Sequence, residues 1–415
     1  MKLKLRNIGI IEEADIKIDG ISLIAGQNDT GKSTIGKIIY SVIKGFNQDI
    51  NTFEEENSRM KFLYYQDIIK ELSKYDEINL TSYSTKIINE EWIESIKKLV
   101  HNLILDEEVK QPLSQKIFFL QNIVNKKFNT INQKNEEIEK WLKEEFQVFY
   151  NVFSNSKLDR VLSKIEIEDL HGKATIQQKY PESNYLFTDL DNNLELYFKD
   201  VYYIESPMAL DSNLQRFVGK NTFAFLNRSR QEELIKALAN YNKQIILNND
   251  SSEILNKIEL IINGEITVDL FDGVNFKRNN INIAIKNTAV GIKSFGIIQL
   301  LLKNNRINNR TLLIIDEPEV HLHPTWQVKY AEILVLLSKE LEIPILLTSH
   351  SPYFIEAIEG FSKKYKFEKS TNFYFAKKEE DGLSSKILDV SNDITPILDS
   401  ISEAFYKIQD INDED

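Results

Sequence analysis

Apolar and polar positions alternate at the start of the chain. Lys2-Leu3-Lys4-Leu5-Arg6 and Ala14-Asp15-Ile16-Lys17-Ile18 each turn every second residue to an apolar face, the period of a half-buried strand. Asp19-Gly20 marks a tight turn. The continuous apolar run Ile21-Ser22-Leu23-Ile24-Ala25 predicts a buried strand ending at Gly26, and Thr34 to Ile43 predicts a helix with one apolar face. After residue 46 the period changes. From Asn51 to Leu170 apolar residues recur at helical spacing, as in Leu113, Ile117, Leu120, Val124 and Phe128, then Ile138, Trp141, Leu142, Phe146 and Phe149. Pro112 is the only proline of that stretch and glycine is absent from it. No strict heptad persists, so the pattern predicts a compact helical arm rather than a coiled-coil rod.

Strand-like sequence returns at Lys173 to Gln178, Leu194 to Phe198 and Val201 to Ile204. Helical spacing follows from Ser229 to Ile262, then short strands at Ile266-Thr267-Val268 and Ile281 to Ile285, then a helix from Gly291 to Lys303. Two strongly apolar runs, Thr311 to Ile315 and Ile343 to Thr348, flank a helix from Thr325 to Lys339. Buried strands alternating with helices predict a parallel sheet covered on both faces. The expected fold class is α/β, with a β-rich N-terminal layer and an all-helical arm inserted into one α/β domain. The expected divisions are 1–46, a helical insertion over 47–172, and 173–415, the last carrying a small helical section at 229–262.

The candidate chemistry sits at the strand ends. Gly26-Gln27-Asn28-Asp29-Thr30-Gly31-Lys32-Ser33 fits the phosphate-loop pattern G-x-x-x-x-G-K-[ST] without a mismatch, between a predicted strand and a predicted helix. Gly26, Asn28, Asp29, Thr30, Gly31, Lys32, Ser33 and Thr34 would surround the phosphates of ATP. Backbone N–H groups and the helix N-terminus point at the anion, Lys32 adds charge, and the Ser33 hydroxyl faces Mg2+. Ile314-Ile315-Asp316-Glu317-Pro318-Glu319 ends a second buried strand, where open α/β sheets bind ligands. Asp316 would hold Mg2+, and Glu317 would orient and polarise the water that attacks the γ-phosphate. Leu347-Thr348-Ser349-His350 ends the neighbouring run, where His350 would reach the γ-phosphate or that water. The His321-Leu322-His323 segment reads as a loop near the nucleotide, not as a zinc or manganese site.

Composition narrows the setting. The chain has 415 residues, 42% of them hydrophobic, with no Cys. That excludes a disulfide framework, a Cys nucleophile and a Cys-based zinc site. No run approaches the roughly 18 apolar residues of a membrane helix, and Met1 to Arg6 lacks the apolar core of a signal peptide. A cytoplasmic protein without a membrane partner is expected. The net charge of −12 lends no support to direct DNA binding, which a basic surface would favour. The acidic end, Gln409 to Asp415, reads as a solvated tail.

Gly26 to Ser33, Ile315 to Pro324 and Thr348 to Pro352 resemble the ABC-type ATPases, in the branch that contains RecF, SMC and OLD-family proteins. Within it, Asn7 to Ala14, Tyr203-Ile204-Glu205-Ser206-Pro207 and Asp316 to Pro324 are similar to the AAA-like ATP-binding proteins of bacterial anti-phage systems, such as PARIS-like and Septu-like ATPase subunits. The resemblance covers 1–46 and 173–390. It implies a P-loop NTPase of ABC type that hydrolyses ATP with Mg2+, joins a second copy of itself head to head, and controls a separate effector such as a Toprim or HNH nuclease. The chain itself carries no nuclease motif. It also implies a signature segment that completes the partner copy's site. Asn287-Thr288-Ala289-Val290-Gly291-Ile292-Lys293-Ser294 is the counterpart, with Gly291 allowing close backbone approach and Lys293 supplying charge. Val290 stands where related chains carry Ser, which implies slow or partner-dependent hydrolysis. Other readings are a RecF-like repair ATPase acting on DNA, a transporter's nucleotide-binding subunit, and a nucleotide-gated structural protein without turnover.

Overall fold

The computed structural model describes residues 1–48, 50–74, 88, 90–102, 107–125, 130–146, 162–178, 186–191, 194–212, 229–239, 249–269, 273–279, 281–380 and 382–402. The chain opens with β1 (Lys2–Ile8), β2 (Ile11–Lys17), β3 (Ile21–Ala25) and α1 (Lys32–Asn47), followed by α2 (Ile50–Leu72), α3 (Glu90–Asn102), α4 (Glu107–Asn125) and α5 (Thr130–Glu145). Strands β4 (Lys164–Asp169), β5 (Gly172–Gln178), β6 (Leu186–Leu190) and β7 (Asp200–Ile204) come next, then α6 (Arg230–Ala239) and α7 (Asn249–Ile262). A small antiparallel sheet is built from β8 (Glu265–Asp269), β9 (Gly273–Arg278) and β10 (Ile281–Ala284). The last part holds α8 (Val290–Lys303), β11 (Thr311–Asp316), α9 (Pro324–Glu340), β12 (Ile345–Ser349), α10 (Pro352–Lys364), β13 (Thr371–Lys378) and β14 (Ser385–Asp389).

Eleven strands form one mixed sheet in the order β6-β5-β4-β1-β2-β14-β13-β3-β12-β11-β7. The five from β13 to β7 run parallel. The two continuous apolar runs and the run before the phosphate loop become β11, β12 and β3, which are buried along almost their whole length, as strands covered on both faces must be. Their registers align the chemistry. Thr348 is opposite Asp316 and Ser349 is opposite Ala25, so three strand ends converge at one edge. The fold is α/β, as the periodicity implies.

Two compact units divide the described chain, one of Met1–Asn47 with Asn135–Asp415, the other Gln48–Lys134. The helical unit therefore ends at 134, not at the expected 172. Beyond it, Lys164–Asp169 is strand β4, whose Ile165 and Ile167 are buried while the residues between are half exposed. It pairs with β1, which assigns it to the sheet. The helical unit has its own core: Ile68 and Leu72 of α2, Trp92, Ile93, Ile96 and Val100 of α3, and Leu113, Ile117 and Leu120 of α4. Phe128 and Phe149 lie outside the described residues.

Leu194 to Phe198 is not a strand. Leu194, Leu196 and Phe198 are buried, which explains the alternation. Their backbone is held otherwise: the Tyr197 N–H donates to Asp169 Oδ2 (2.8 Å) and the Leu194 N–H to Asp191 O (2.9 Å).

Candidate active site

The phosphate loop leaves β3 at Gly26 and enters α1 at Lys32. Gly26 (φ 155°) and Gly31 (φ 82°) occupy backbone conformations that L side chains rarely adopt. A Cβ on Gly26 would lie 2.5 Å from Ala376 O of β13, and one on Gly31 2.6 Å from Ile11 of β2. Both glycines are thus required by conformation and by neighbours. Asn28 and Asp29 are exposed at the loop's crest, where Asp29 Oδ2 is 3.8 Å from Lys378 Nζ. Thr30 is buried, its hydroxyl donating to Gln27 O (2.9 Å). Thr34 follows in the first turn of α1, half-buried.

Lys32 is 4% exposed. Its ammonium donates to the loop's own Gly26 O (3.0 Å) and Gln27 O (2.7 Å). Burial holds its pKa below the usual lysine value, against the pull of Glu317, Asp316 and Glu319, which favour the charge. A desolvated cation facing carboxylates and carbonyls is suited to an incoming polyanion.

Asp316 ends β11 and is held from three sides. Its Oδ1 accepts from the Ser33 hydroxyl (3.0 Å) and from the Thr348 hydroxyl, and its Oδ2 from the Tyr203 hydroxyl (2.9 Å). Lys32, Ser33 and Asp316 are therefore one cluster, although the last is almost three hundred positions from the others. Ser33 and Asp316 present two hard oxygen donors side by side, the pairing Mg2+ takes when phosphates and water fill its other positions. Among the described residues no group of three or more His, Cys, Asp or Glu could hold a metal ion. The donor set fits a phosphate-bound Mg2+ better than an all-protein cage.

Glu317 follows with φ 48°, a left-handed conformation uncommon outside glycine. Its N–H donates to Thr348 Oγ1 (3.0 Å) and lies 3.2 Å from Thr348 O, which ties the turn to β12. His350 Nδ1 is 3.5 Å from Glu317 Oε1 and 3.4 Å from Glu319 Oε1. Neither contact is a hydrogen bond, and the other ring nitrogen is left for a ligand or water.

Glu319 has no role in the sequence reading, and neither do Thr348 and Tyr203 beyond their motifs. Glu319 is 4% exposed and its Oε1 accepts from the Ser349 hydroxyl (2.8 Å), the His350 N–H (2.7 Å) and the Ser351 N–H (3.2 Å). Burial raises its pKa, opposed chiefly by the His350 N–H. It is the brace that holds the turn bearing His350. Glu319→Ala would take this acceptor from the Ser349 hydroxyl and the His350 N–H, while the Ser351 N–H keeps Ser349 Oγ (3.2 Å), and a loss on the order of 1–3 kcal/mol is expected in chemical denaturation. Glu319→Gln, which keeps an acceptor oxygen, is expected to lose less; equal stability of wild type and Glu319→Ala would refute the bracing role.

The signature counterpart lies elsewhere. Val290 starts α8, capped by Ala289 without a side-chain bond. Gly291 packs where a Cβ would lie 2.8 Å from the Trp326 ring. The Lys293 side chain is 3% exposed, with its ammonium 2.7 Å from Asp211. Its charge is directed at Asp211 rather than at solvent, contrary to the expectation that it would be offered to phosphate. No hydrogen bond among those described joins Gly291 or Lys293 to the group around Asp316. His323 caps α9, its Nδ1 accepting from the Thr325 N–H (3.3 Å).

Among solved structures, the SMC head domain from Thermotoga maritima is 12% identical, with 94% of this chain and 98% of that one covered and a TM-score of 0.40. An SMC head bound to the C-terminal winged-helix domain of ScpA is 10% identical, with 96% and 98% covered and a TM-score of 0.43. An ATP-binding cassette of an ABC transporter in its ADP conformation is 11% identical, with 97% and 95% covered and a TM-score of 0.36. No curated protein sequence matches the chain. The family described as AAA ATPase domain matches residues 1–355, a span that takes in the phosphate loop, Asp316-Glu317 and His350. The chain belongs to that AAA ATPase domain family.

Proposed function

We propose that the protein binds and hydrolyses ATP with Mg2+ and acts as the sensor or scaffold subunit of an anti-phage system, controlling a separate nuclease effector. The observation that carries the enzymatic part is the convergence of Lys32, Ser33, Asp316, Glu317 and His350 at the ends of three parallel strands. Lys32 and the N–H groups of the loop would hold the phosphates, and Ser33 and Asp316 would hold Mg2+, which would supply positive charge against that building on the transferring phosphoryl group. Glu317 accepts a proton from the attacking water. His350 steadies that water or the γ-phosphate from Nε2, the ring nitrogen that does not face the carboxylates. A head-to-head pair of copies would bring the α8 N-terminus of each against the other's nucleotide, with the helix dipole facing phosphate. In that arrangement Gly291 permits close approach, whereas Lys293 would have to leave Asp211 to contribute.

The regulatory part rests on the sequence resemblance and on the net charge of −12, which favours protein partners over direct DNA contact. No helix of the described residues is long and apolar enough to cross a membrane. The test combines two measurements. Purified protein should release phosphate from ATP only when Mg2+ is present; absence of turnover with and without the flanking gene's product would refute the ATPase reading. Cells carrying the gene with its flanking reading frames should plate phage less efficiently than cells carrying Lys32→Ala. Equal plating across a broad phage panel would refute the defence role and leave the ATPase reading standing.

A further inference from the structure

Tyr203 stands on β7 opposite Ile314 of β11, so Asp316, two residues further along β11, shares the sheet face that Tyr203 occupies. The phenol is 1% exposed and its hydroxyl donates to Asp316 Oδ2 (2.9 Å). The sequence makes room for it. Gly36, in the interior of α1, would place a Cβ 3.0 Å from the Tyr203 ring and 3.1 Å from Ile314. Glycine inside a helix costs about 1 kcal/mol relative to Ala, and close passage of this ring supplies the reason for it here.

The ring also carries the Arg230 guanidinium, 4.6 Å from the ring centre. Arg230, at the start of α6, forms an ion pair with Glu145, the last residue of α5, and lies 3.4 Å from Glu205. Glu145 is also 3.9 Å from Lys37 of α1. Burial and the Asp316 carboxylate both raise the phenol's pKa.

We propose that Tyr203 is a positioning residue for the metal-holding carboxylate Asp316, and that Arg230 and Glu145 couple its placement to the end of α5. The inference rests on the Mg2+–ATP reading of the site. With Oδ2 accepting from the phenol, Oδ1 faces the Ser33 hydroxyl (3.0 Å), and Ser33 and Asp316 would hold the cation from this side. Without the hydroxyl, Oδ2 loses its donor and the carboxylate is held from the Oδ1 side alone, by the Ser33 and Thr348 hydroxyls. A shift of α5 moves Glu145, then the guanidinium, then the ring.

The experiment is a Mn2+ titration followed by electron paramagnetic resonance, with a non-hydrolysable ATP analogue bound to wild type and to Tyr203→Phe. The Phe variant keeps the ring and its packing. Loss of an outer-shell partner of a metal ligand weakens metal binding about tenfold or more, and that shift is expected. Affinity for a fluorescent ATP analogue in EDTA is expected to stay at the wild-type value. A purely packing role predicts the reverse, a lower melting temperature with unchanged Mn2+ affinity, and that result would overturn the proposal. Arg230→Gln, remote from the cation, is expected to shift Mn2+ affinity in the same direction by less. Should Tyr203→Phe fail to fold, an unchanged affinity in Arg230→Gln would overturn it instead. A wild type that binds neither analogue nor Mn2+ would sink the ATPase reading itself, a failure distinct from that of the Tyr203 role.

Discussion

Glu317→Gln is expected to bind ATP with wild-type affinity and to hydrolyse it about 10²–10⁴ times more slowly, the range a lost general base typically costs. The substitution is isosteric and removes only the basic oxygen. The backbone that places the side chain is untouched, because the turn is held by the Glu317 N–H on Thr348 and by the left-handed φ of 48°. His350 Nδ1 stays within reach of Glu319, so the histidine keeps one carboxylate partner when the other becomes an amide. Phosphate release under single-turnover conditions separates the chemical step from product release. If ATP holds two copies together, the variant with ATP should also run as a dimer by light scattering while ADP leaves it monomeric. Wild-type turnover in Glu317→Gln would remove the residue from the chemistry, and the water would then need another base.

How far the sequence reveals this site depends on the kind of contact. The phosphate loop is legible because its motif is contiguous and its two glycines answer local needs, a positive φ and a close neighbour at each. Asp316 and His350 are legible because each ends a continuous apolar run, and such runs become central parallel strands. Ser33 aside, the partners of Asp316 are not legible. Thr348 faces it through the register of β12 on β11, and Tyr203 reaches it from β7 across more than a hundred residues. Register between distant parallel strands leaves no trace in one sequence. The same holds for β13, whose apolar Phe373-Tyr374-Phe375-Ala376 lies beside β3 through pairings some 350 positions apart. Alternation also misleads in both directions. At Leu194 to Phe198 it records burial without a ladder, whereas at Lys164 to Asp169 a true strand period is masked by the helical sequence before it. Lys293 shows a further limit: a basic residue near a glycine looks available to phosphate until Asp211 is found beside it.

Lys32→Ala is expected to abolish measurable nucleotide binding while leaving the fold intact. The ammonium would exchange the carbonyls of Gly26 and Gln27 for phosphate oxygens. Bonds to charged groups are worth about 1.5–3 kcal/mol each. Losing two therefore weakens binding by a hundredfold or more, since each 1.4 kcal/mol is about tenfold. The nucleotide-free protein should not suffer in proportion. Because the folded-state pKa of Lys32 lies below 10.5, the unfolded chain binds the proton more tightly than the fold does. At neutral pH its burial thus opposes folding, and stability from this group recovers as pH rises through the lowered value towards 10.5. A phosphate restores the favourable environment for the charge, which couples ATP binding to stability. Calorimetric melting of wild type should show a transition that moves up with ATP. Lys32→Ala should melt near the nucleotide-free wild type and stay there when ATP is added. An ATP-dependent rise in the variant equal to that of wild type would mean that the loop amides alone hold the triphosphate, and the place given to Lys32 would be lost.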